Sequence, residues 1–219
     1  MYWLESVDNY CERLDLSFWA EPLNALSNAS FVVAGMVLLL QWQRLPRPSL
    51  PALALTVNVL AIGIGSFLFH THANRWSSLA DIIPITVFIH FYLLLALRFY
   101  LGLNWWIAAA MMLAFFAASP FIGSILEPMM GSSAMYAPAL AAIIGVGLAA
   151  HSRQPTVASG LFLAGAVFAM SIAFRAADLR FCEAMPLGTH FVWHLLNGLV
   201  LYLLVRLYLR VHAASATNH

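Results

Sequence analysis

Residues 51–71 read PALALTVNVLAIGIGSFLFHT, a run with no Asp, Glu, Lys or Arg. At 1.5 Å per residue, a helix over this run is about 30 Å long, which matches the hydrocarbon core of a bilayer. Six other stretches have the same apolar character. The sequence therefore predicts an all-α single domain over 1–219, a bundle of seven transmembrane helices at 25–43, 51–71, 78–98, 104–123, 133–150, 156–176 and 187–210.

The composition of the whole chain agrees with a multi-pass membrane protein. Of its 219 residues, 63% are hydrophobic and 9% are charged, whereas a typical soluble domain is about 25% charged. The net charge is only +1 and the chain has no basic cluster, which argues against nucleic-acid binding. All ten basic residues are arginine, so no lysine exists for a retinal Schiff base or for a phosphate-binding loop.

Arginine placement predicts the orientation of the bundle, because cytoplasmic loops are enriched in basic residues. With the N-terminus outside, the inner segments hold Arg44, Arg47, Arg98, Arg153, Arg206 and Arg210. The outer segments then hold Arg13, Arg75, Arg175 and Arg180. We therefore predict an N-terminus outside and a C-terminus inside, and the short loops favour a bacterial inner-membrane protein.

The first 24 residues are too polar to cross a bilayer, and they lack the basic and apolar regions of a signal peptide. We expect them to lie at the membrane interface. The proposed aromatic anchors are Trp3, Tyr10, Phe18 and Trp19.

The only two cysteines, Cys11 and Cys182, fall on the same outer side in the predicted orientation. An oxidising compartment there would permit a disulfide. We predict this bond, which would tie the N-terminal segment to the entrance of the last span.

Polar residues converge at one depth of the predicted bundle. Ser66 and His70 close the second span, and Asp81 opens the third. His190 and His194 begin the last span four residues apart, so both lie on one helix face. All five therefore fall in the outer half of the membrane, where ionisable groups are costly and call for an explanation.

Three imidazoles and a carboxylate at a common level suit a zinc ion that keeps one open position for water. The alternative for any single intramembrane histidine is a hydrogen bond between helices, and we interpret His90 in that way. A packing role for His70, His190 and His194 together is the less favoured interpretation.

A second group of oxygen donors lies in the N-terminal segment: Asp8, Glu12, Asp15, Glu21 and Asn24. Hard oxygen ligands at this density suit Ca²⁺. The alternative is a solvated acidic surface, and the residues alone favour that alternative.

Four sequence blocks resemble the alkaline ceramidases, which belong to a superfamily of seven-helix membrane hydrolases that includes the adiponectin receptors. The blocks are Asp8-Asn9-Tyr10-Cys11-Glu12, Glu21-Pro22-Leu23-Asn24-Ala25-Leu26-Ser27-Asn28, Ser66-Phe67-Leu68-Phe69-His70 with Asp81, and His190-Phe191-Val192-Trp193-His194. They follow in the family's order over nearly the whole chain.

The resemblance implies a zinc ion held by His70, His190 and His194, with water as the fourth ligand. It also implies that Ser66 and Asp81 occupy the remaining active-site positions.

The same resemblance implies a Ca²⁺ site, onto which Asp8, the carbonyl of Tyr10, Glu12 and Glu21 map. The family pattern has Asp directly before the aromatic residue, where this chain has Asn9. It also has Asn two positions after the Glu, where this chain has Leu14.

The function implied is zinc-dependent hydrolysis of the amide of a ceramide-like membrane lipid to a fatty acid and a sphingoid base. A receptor or lipid-binding protein with a structural zinc is the alternative. A transporter is less favoured, because the chain shows no pair of interrupted helices in corresponding halves.

Overall fold

The computed structural model describes residues 2–217, and the side chains through residue 213. Within this range the chain forms eight α-helices and no strand. The α-helices are α1 (Pro22–Ser27), α2 (Ala29–Gln43), α3 (Leu50–His72), α4 (Arg75–Phe99), α5 (Trp105–Met130), α6 (Ala137–Ala150), α7 (Pro155–Ala177) and α8 (His190–Thr217). Short 3₁₀ helices cover Tyr2–Leu4, Gly131–Tyr136 and Asp178–Arg180.

The long helices form a closed ring around an apolar interior. Each packs beside its neighbours in sequence, and α8 completes the ring by packing against both α7 and α2. Helix α3 also contacts α8 across the centre of the bundle. The interior is filled by buried side chains that include Leu38, Leu55, Leu95, Leu161 and Val205.

Six segments of the described chain are long and apolar enough to cross a membrane, not the seven that the sequence predicts. Helix α5 runs on to Met130, past Pro120, and the whole stretch Trp105–Ala150 counts as one apolar segment of 46 residues. The predicted span 133–150 begins as a 3₁₀ turn, and α6 has only 14 residues.

A 14-residue helix is about 21 Å long, short of the roughly 30 Å needed to cross a bilayer alone. The prediction of seven separate full-length spans is therefore wrong, whereas the all-α class is confirmed. The N-out orientation and the bacterial inner membrane stay predictions.

Helices α3 and α4 approach each other closely beside the predicted site. The chain reverses between them at Ala73, which has a φ of 42°, and Asn74 caps α4 through a reciprocal bond with Ser77. Gly65 lies directly against the backbone of Ala80, so an added Cβ would collide with the Ala80 carbonyl oxygen. This contact places the site-bearing end of α3 against the first turns of α4.

The N-terminal segment lies across one end of the bundle and is attached to it. Cys11 and Cys182 form the predicted disulfide, with Cα atoms 5.2 Å apart, so that prediction is confirmed. The amide of Val7 donates to the carbonyl of Ala73 at 2.8 Å. The segment is therefore held both to the α3–α4 turn and to the loop before α8.

Three of the four predicted interface anchors, Trp3, Phe18 and Trp19, are exposed. Tyr10 differs, because its ring stacks on His190 inside the bundle. The placement of the segment at the interface stays a prediction.

Substituting Gly65→Ala tests the close contact between α3 and α4. The added methyl group must push the helices apart, so we expect the free energy of unfolding to fall by about 1–3 kcal/mol. The measurement is the apparent melting temperature in detergent. Gly145→Ala is the matched control, because an added Cβ there meets nothing within 4 Å. Equal melting temperatures for the two variants would contradict this packing.

Candidate metal centre

Three histidines meet inside the bundle although they come from opposite parts of the chain. His70 lies at the end of α3, and His190 and His194 lie in the first turns of α8. One ring nitrogen from each lies within 4.8 Å of the others, and all three residues are buried. The ring centroids are 4.6–5.2 Å apart. The structure therefore brings together the three residues that the sequence proposes as metal ligands.

The ring of His70 is oriented by a carboxylate. Its Nδ1 lies within hydrogen-bonding distance of Oε2 of Glu21, and Nε2 is buried with no hydrogen-bond partner among the described residues. Because an ionised carboxylate only accepts, Nδ1 must carry the hydrogen. The lone pair of the neutral ring is then on Nε2, as in the carboxylate–histidine pairs that support metal ligands.

The orientation of His194 follows from a similar argument about hydrogens. The hydroxyl of Ser27 donates to the carbonyl of Asn24 at 2.9 Å and lies 2.7 Å from Nδ1 of His194. A hydroxyl has one hydrogen, so Ser27 must accept from Nδ1–H. The lone pair of His194 is therefore on Nε2, which lies 3.5 Å from the hydroxyl of Ser66.

His190 is positioned by an aromatic ring and by its own backbone. The ring of Tyr10 stacks on it with centroids 3.7 Å apart, and Nδ1 of His190 is buried without a hydrogen-bond partner in the described part of the chain. Its backbone amide donates to Oδ1 of Asp178 at 2.9 Å. The start of α8 is thus fixed while a ring nitrogen stays unsatisfied.

Unsatisfied nitrogens in a buried cluster suit a bound cation. Buried polar atoms in native proteins normally have a partner, yet His70 and His190 each keep one nitrogen without any. Neutral imidazoles are preferred ligands of zinc and related transition metals. The three residues therefore fit the metal that the sequence predicts.

Ser66 and Asp81 lie beside the histidine cluster, at the contact between α3 and α4. Both line one cavity together with His190 and His194, and the two side chains lie close enough to interact. Oδ1 of Asp81 is buried and has no hydrogen-bond partner among the described residues. The structure therefore places a carboxylate oxygen and a hydroxyl next to the cluster.

The cavity extends from this polar end between apolar helix faces. Its walls include Phe31, Ile85, Phe88, Leu161, Phe168 and Leu204. The cavity runs along α8 from His194 to Leu204. These positions are ten residues apart, a length of about 15 Å at 1.5 Å per residue. The cavity thus has polar side chains at the histidine cluster and mainly apolar walls along α8.

The four residues mapped to a calcium site do not form a ligand cluster. Asp8 is exposed. The carbonyl of Tyr10 accepts the amide of Arg13 at 3.3 Å. Glu12 accepts the backbone amides of Leu23 and Asn24 at 2.6 and 2.8 Å, as a cap on α1. Among the described His, Cys, Asp and Glu residues, only the three histidines gather closely enough to bind a metal as a group.

Glu21 lies inside the protein rather than on an acidic surface. Its Oε1 is 2.6 Å from Nε of Arg13, and Asn24 donates to its Oε2 at 3.0 Å. Burial by itself would raise the pKa of Glu21, but the contacts with His70, Asn24 and Arg13 together lower it below its usual range. Glu21 is therefore an anion at neutral pH.

Sequence reasoning missed two residues that contribute to the site. Asp178 accepts the amides of Cys11, Thr189 and His190 at 3.1, 2.6 and 2.9 Å, and so joins the N-terminal segment to α8. Arg175 lines the same cavity as Asp81 and donates to the hydroxyl of Ser133.

Comparison with known proteins gives one family for this chain. A family model described as Ceramidase matches residues 4–219, and this range includes every residue of the histidine cluster. No curated protein matches the chain closely.

Substituting His194→Ala tests the metal centre. The variant removes one of three nitrogen ligands, so we expect wild type to hold about one ion per chain and the variant to lose it. Elemental analysis of the purified protein gives the metal content. His90→Ala is the matched control, since His90 is a membrane-embedded histidine that bonds only the carbonyl of Thr86. Wild-type protein without metal would argue against the metal centre, and so would an equal loss of metal in His90→Ala.

Substituting Asp178→Ala tests the link between the N-terminal segment and α8. Three amides lose their acceptor, so we expect a loss of about 2–4 kcal/mol of stability, seen as a lower melting temperature. Asp178→Asn keeps one oxygen acceptor and should lose less. Asp15→Ala provides the control, because exposed Asp15 accepts only the amide of Ser17. A melting temperature for Asp178→Ala equal to that of the control would contradict this role.

Proposed function

The chain belongs to the ceramidase family, and on that premise we propose that it is a zinc-dependent hydrolase of ceramide-like lipids. It would cleave the amide bond with water and release a fatty acid and a sphingoid base. The observation that carries the proposal is the buried histidine cluster beside Ser66 and Asp81, at the polar end of an apolar cavity.

Zinc is the ion that this donor set favours. Three neutral imidazoles with an open fourth position are typical of catalytic zinc sites. Zinc in such a site acidifies water and polarises a carbonyl oxygen. Glu21 and Ser27 would keep His70 and His194 in the tautomer that ligation requires.

Asp81 is the proposed general base and acid. Its buried Oδ1 has no partner in the described part of the chain and could accept a proton from the attacking water. The protonated carboxyl would then deliver that proton to the leaving amide nitrogen, so that the group returns to its starting state.

Ser66 is the proposed hydrogen-bond donor to the substrate carbonyl oxygen. Its hydroxyl lies between the histidine cluster, 3.5 Å from Nε2 of His194, and the side chain of Asp81. As the carbonyl carbon becomes tetrahedral, its oxygen gains negative charge, and a donor in a low-dielectric site stabilises that charge.

The apolar channel is the proposed site of the acyl chain. It begins at the polar cluster and is lined by aliphatic and aromatic side chains from α4, α6, α7 and α8. A substrate with a hydrocarbon tail would enter from the surrounding bilayer. The predicted N-out orientation, which we retain, would place the reacting amide in the outer half of the membrane.

The open coordination position favours an enzyme over a receptor with a structural zinc. Structural sites usually have four protein ligands, whereas the described residues place three in the cluster. The side chains next to the cluster are Ser66 and Asp81, which suit proton transfer and charge stabilisation.

Substituting Asp81→Asn tests the proposed reaction. The variant keeps the shape of the side chain but cannot act as a base, so kcat should fall by about 10²–10⁴-fold. Ser66→Ala should lower kcat by about 10²–10³-fold. Release of fatty acid from a fluorescent ceramide by protein in detergent measures both.

Two controls separate chemistry from folding. Asp15→Asn and Ser159→Ala alter an exposed carboxylate and an exposed hydroxyl that bonds within its own helix, and both should keep wild-type activity. Metal content should stay near one ion per chain in Asp81→Asn. Wild-type protein that carries the metal but hydrolyses no long-chain amide would overturn the proposed reaction and leave the metal centre intact.

A further inference from the structure

An arginine side chain lies at the centre of the contact between the N-terminal segment and α3. Arg13 and Glu21 are both only 2% exposed at their side chains, with Nε and Oε1 2.6 Å apart. The two terminal nitrogens of Arg13 donate to the carbonyls of Asp15 and His70, each at 3.1 Å. The guanidinium is thus a buried cation surrounded by three oxygen acceptors.

Apart from the carboxylate of exposed Asp8, the oxygen atoms that the resemblance assigns to calcium are engaged in other bonds. Both oxygens of Glu12 accept backbone amides, and both oxygens of Glu21 accept side-chain donors. The carbonyl of Tyr10 accepts an amide. Calcium requires six to eight oxygen ligands at about 2.3–2.6 Å, so this donor set does not fit it.

The two departures from the family pattern weaken the same place for calcium, because Leu14 offers no side-chain oxygen and Asn9 lacks the negative charge of an Asp. Asn9 and Leu14 replace an Asp and an Asn of the pattern, and Leu14 is 85% exposed. Asp15, the nearest remaining carboxylate, accepts the amide of Ser17 in its own turn. Relative to the pattern, the segment has lost one oxygen ligand and one carboxylate charge, and the guanidinium of Arg13 pairs with Glu21, one of the ligands that remain.

We propose that the guanidinium of Arg13 takes the place of a divalent cation in this segment, and that the protein neither binds nor needs calcium there. The guanidinium neutralises Glu21 and, through its bond to the carbonyl of His70, ties the segment to the end of α3. Because Glu21 in turn holds Nδ1 of His70, Arg13 is a positioning residue for the metal centre. The positioning role rests on the proposed metal centre, but the inference does not depend on which reaction that centre carries out.

A calcium titration tests the first part of the proposal. Zinc-loaded wild-type protein in calcium-depleted buffer is titrated with CaCl₂ up to about 1 mM, the range of weak protein calcium sites. Equilibrium binding of radioactive calcium and the apparent melting temperature are measured. We expect no saturable binding and no shift in melting temperature. One calcium ion bound per chain with a matching rise in melting temperature would overturn the proposal.

Substituting Arg13→Met tests the positioning role. Methionine keeps much of the apolar stem but leaves buried Glu21 without its cation, so zinc affinity should fall by about 10- to 100-fold, as for other groups that orient metal ligands. Competition with a zinc-binding dye gives the affinity. Arg13→Lys keeps the positive charge but lacks the forked geometry of a guanidinium. Its zinc affinity should therefore lie between that of wild type and that of Arg13→Met. If Arg13→Met does not fold, the zinc affinity of Arg13→Lys tests the positioning role instead.

Arg75→Met is the matched control for this experiment. Arg75 forms a similar pair with Glu5, with Nε and Oε2 2.7 Å apart, but the two side chains are 39% and 57% exposed. Exposed pairs contribute little to stability, and this pair does not contact the histidines, so zinc affinity should be unchanged. Zinc affinity in Arg13→Met or Arg13→Lys equal to that of Arg75→Met would overturn the positioning role.

Discussion

A buried imidazole has two nitrogens that both need a partner, and this protein places three imidazoles side by side in its interior. Glu21 takes one nitrogen of His70, and Ser27 takes one nitrogen of His194. These bonds place the lone pairs of both rings on Nε2, and one ring nitrogen from each of the three histidines lies within 4.8 Å of the others. Unpaired polar atoms are costly in an apolar medium, and the cluster has the geometry to hold a metal ion.

The need of these buried imidazoles for hydrogen-bond partners explains why the N-terminal segment lies across the end of the bundle. The helices alone supply the histidines, but the segment supplies Glu21 and the Arg13 that neutralises it. The disulfide to Cys182 and the bonds to Asp178 attach the same segment to the entrance of α8. The ends of α3 and α8 that carry the histidines are therefore both held by one short polar segment.

The arrangement also accounts for how a polar reaction could occur in an apolar protein. The cavity changes from histidine, serine and aspartate at one end to aliphatic and aromatic walls over the rest of its length. In a low-dielectric interior, each fixed charge or dipole acts more strongly than it does in water. An amphiphile that aligns with this gradient would bring its polar linkage to the cluster and leave its tail among the helices.

The hydropathy of the sequence by itself determined the all-α class and most helix positions, because the thickness of a bilayer sets the length of an apolar helix. The positions of polar residues within the predicted spans also indicated that His70, His190 and His194 lie at the same depth as Ser66 and Asp81. The predicted orientation of the spans likewise placed Cys11 and Cys182 on the same side of the bundle. Only the tertiary structure decided that α6 is too short to count as a separate span, that Asp178 caps α8 and that Arg13 pairs with Glu21, one of the expected calcium ligands. The roles of Asp178 and Arg13 depend on hydrogen bonds between residues as many as 167 positions apart, whose direction and distance no periodic pattern records.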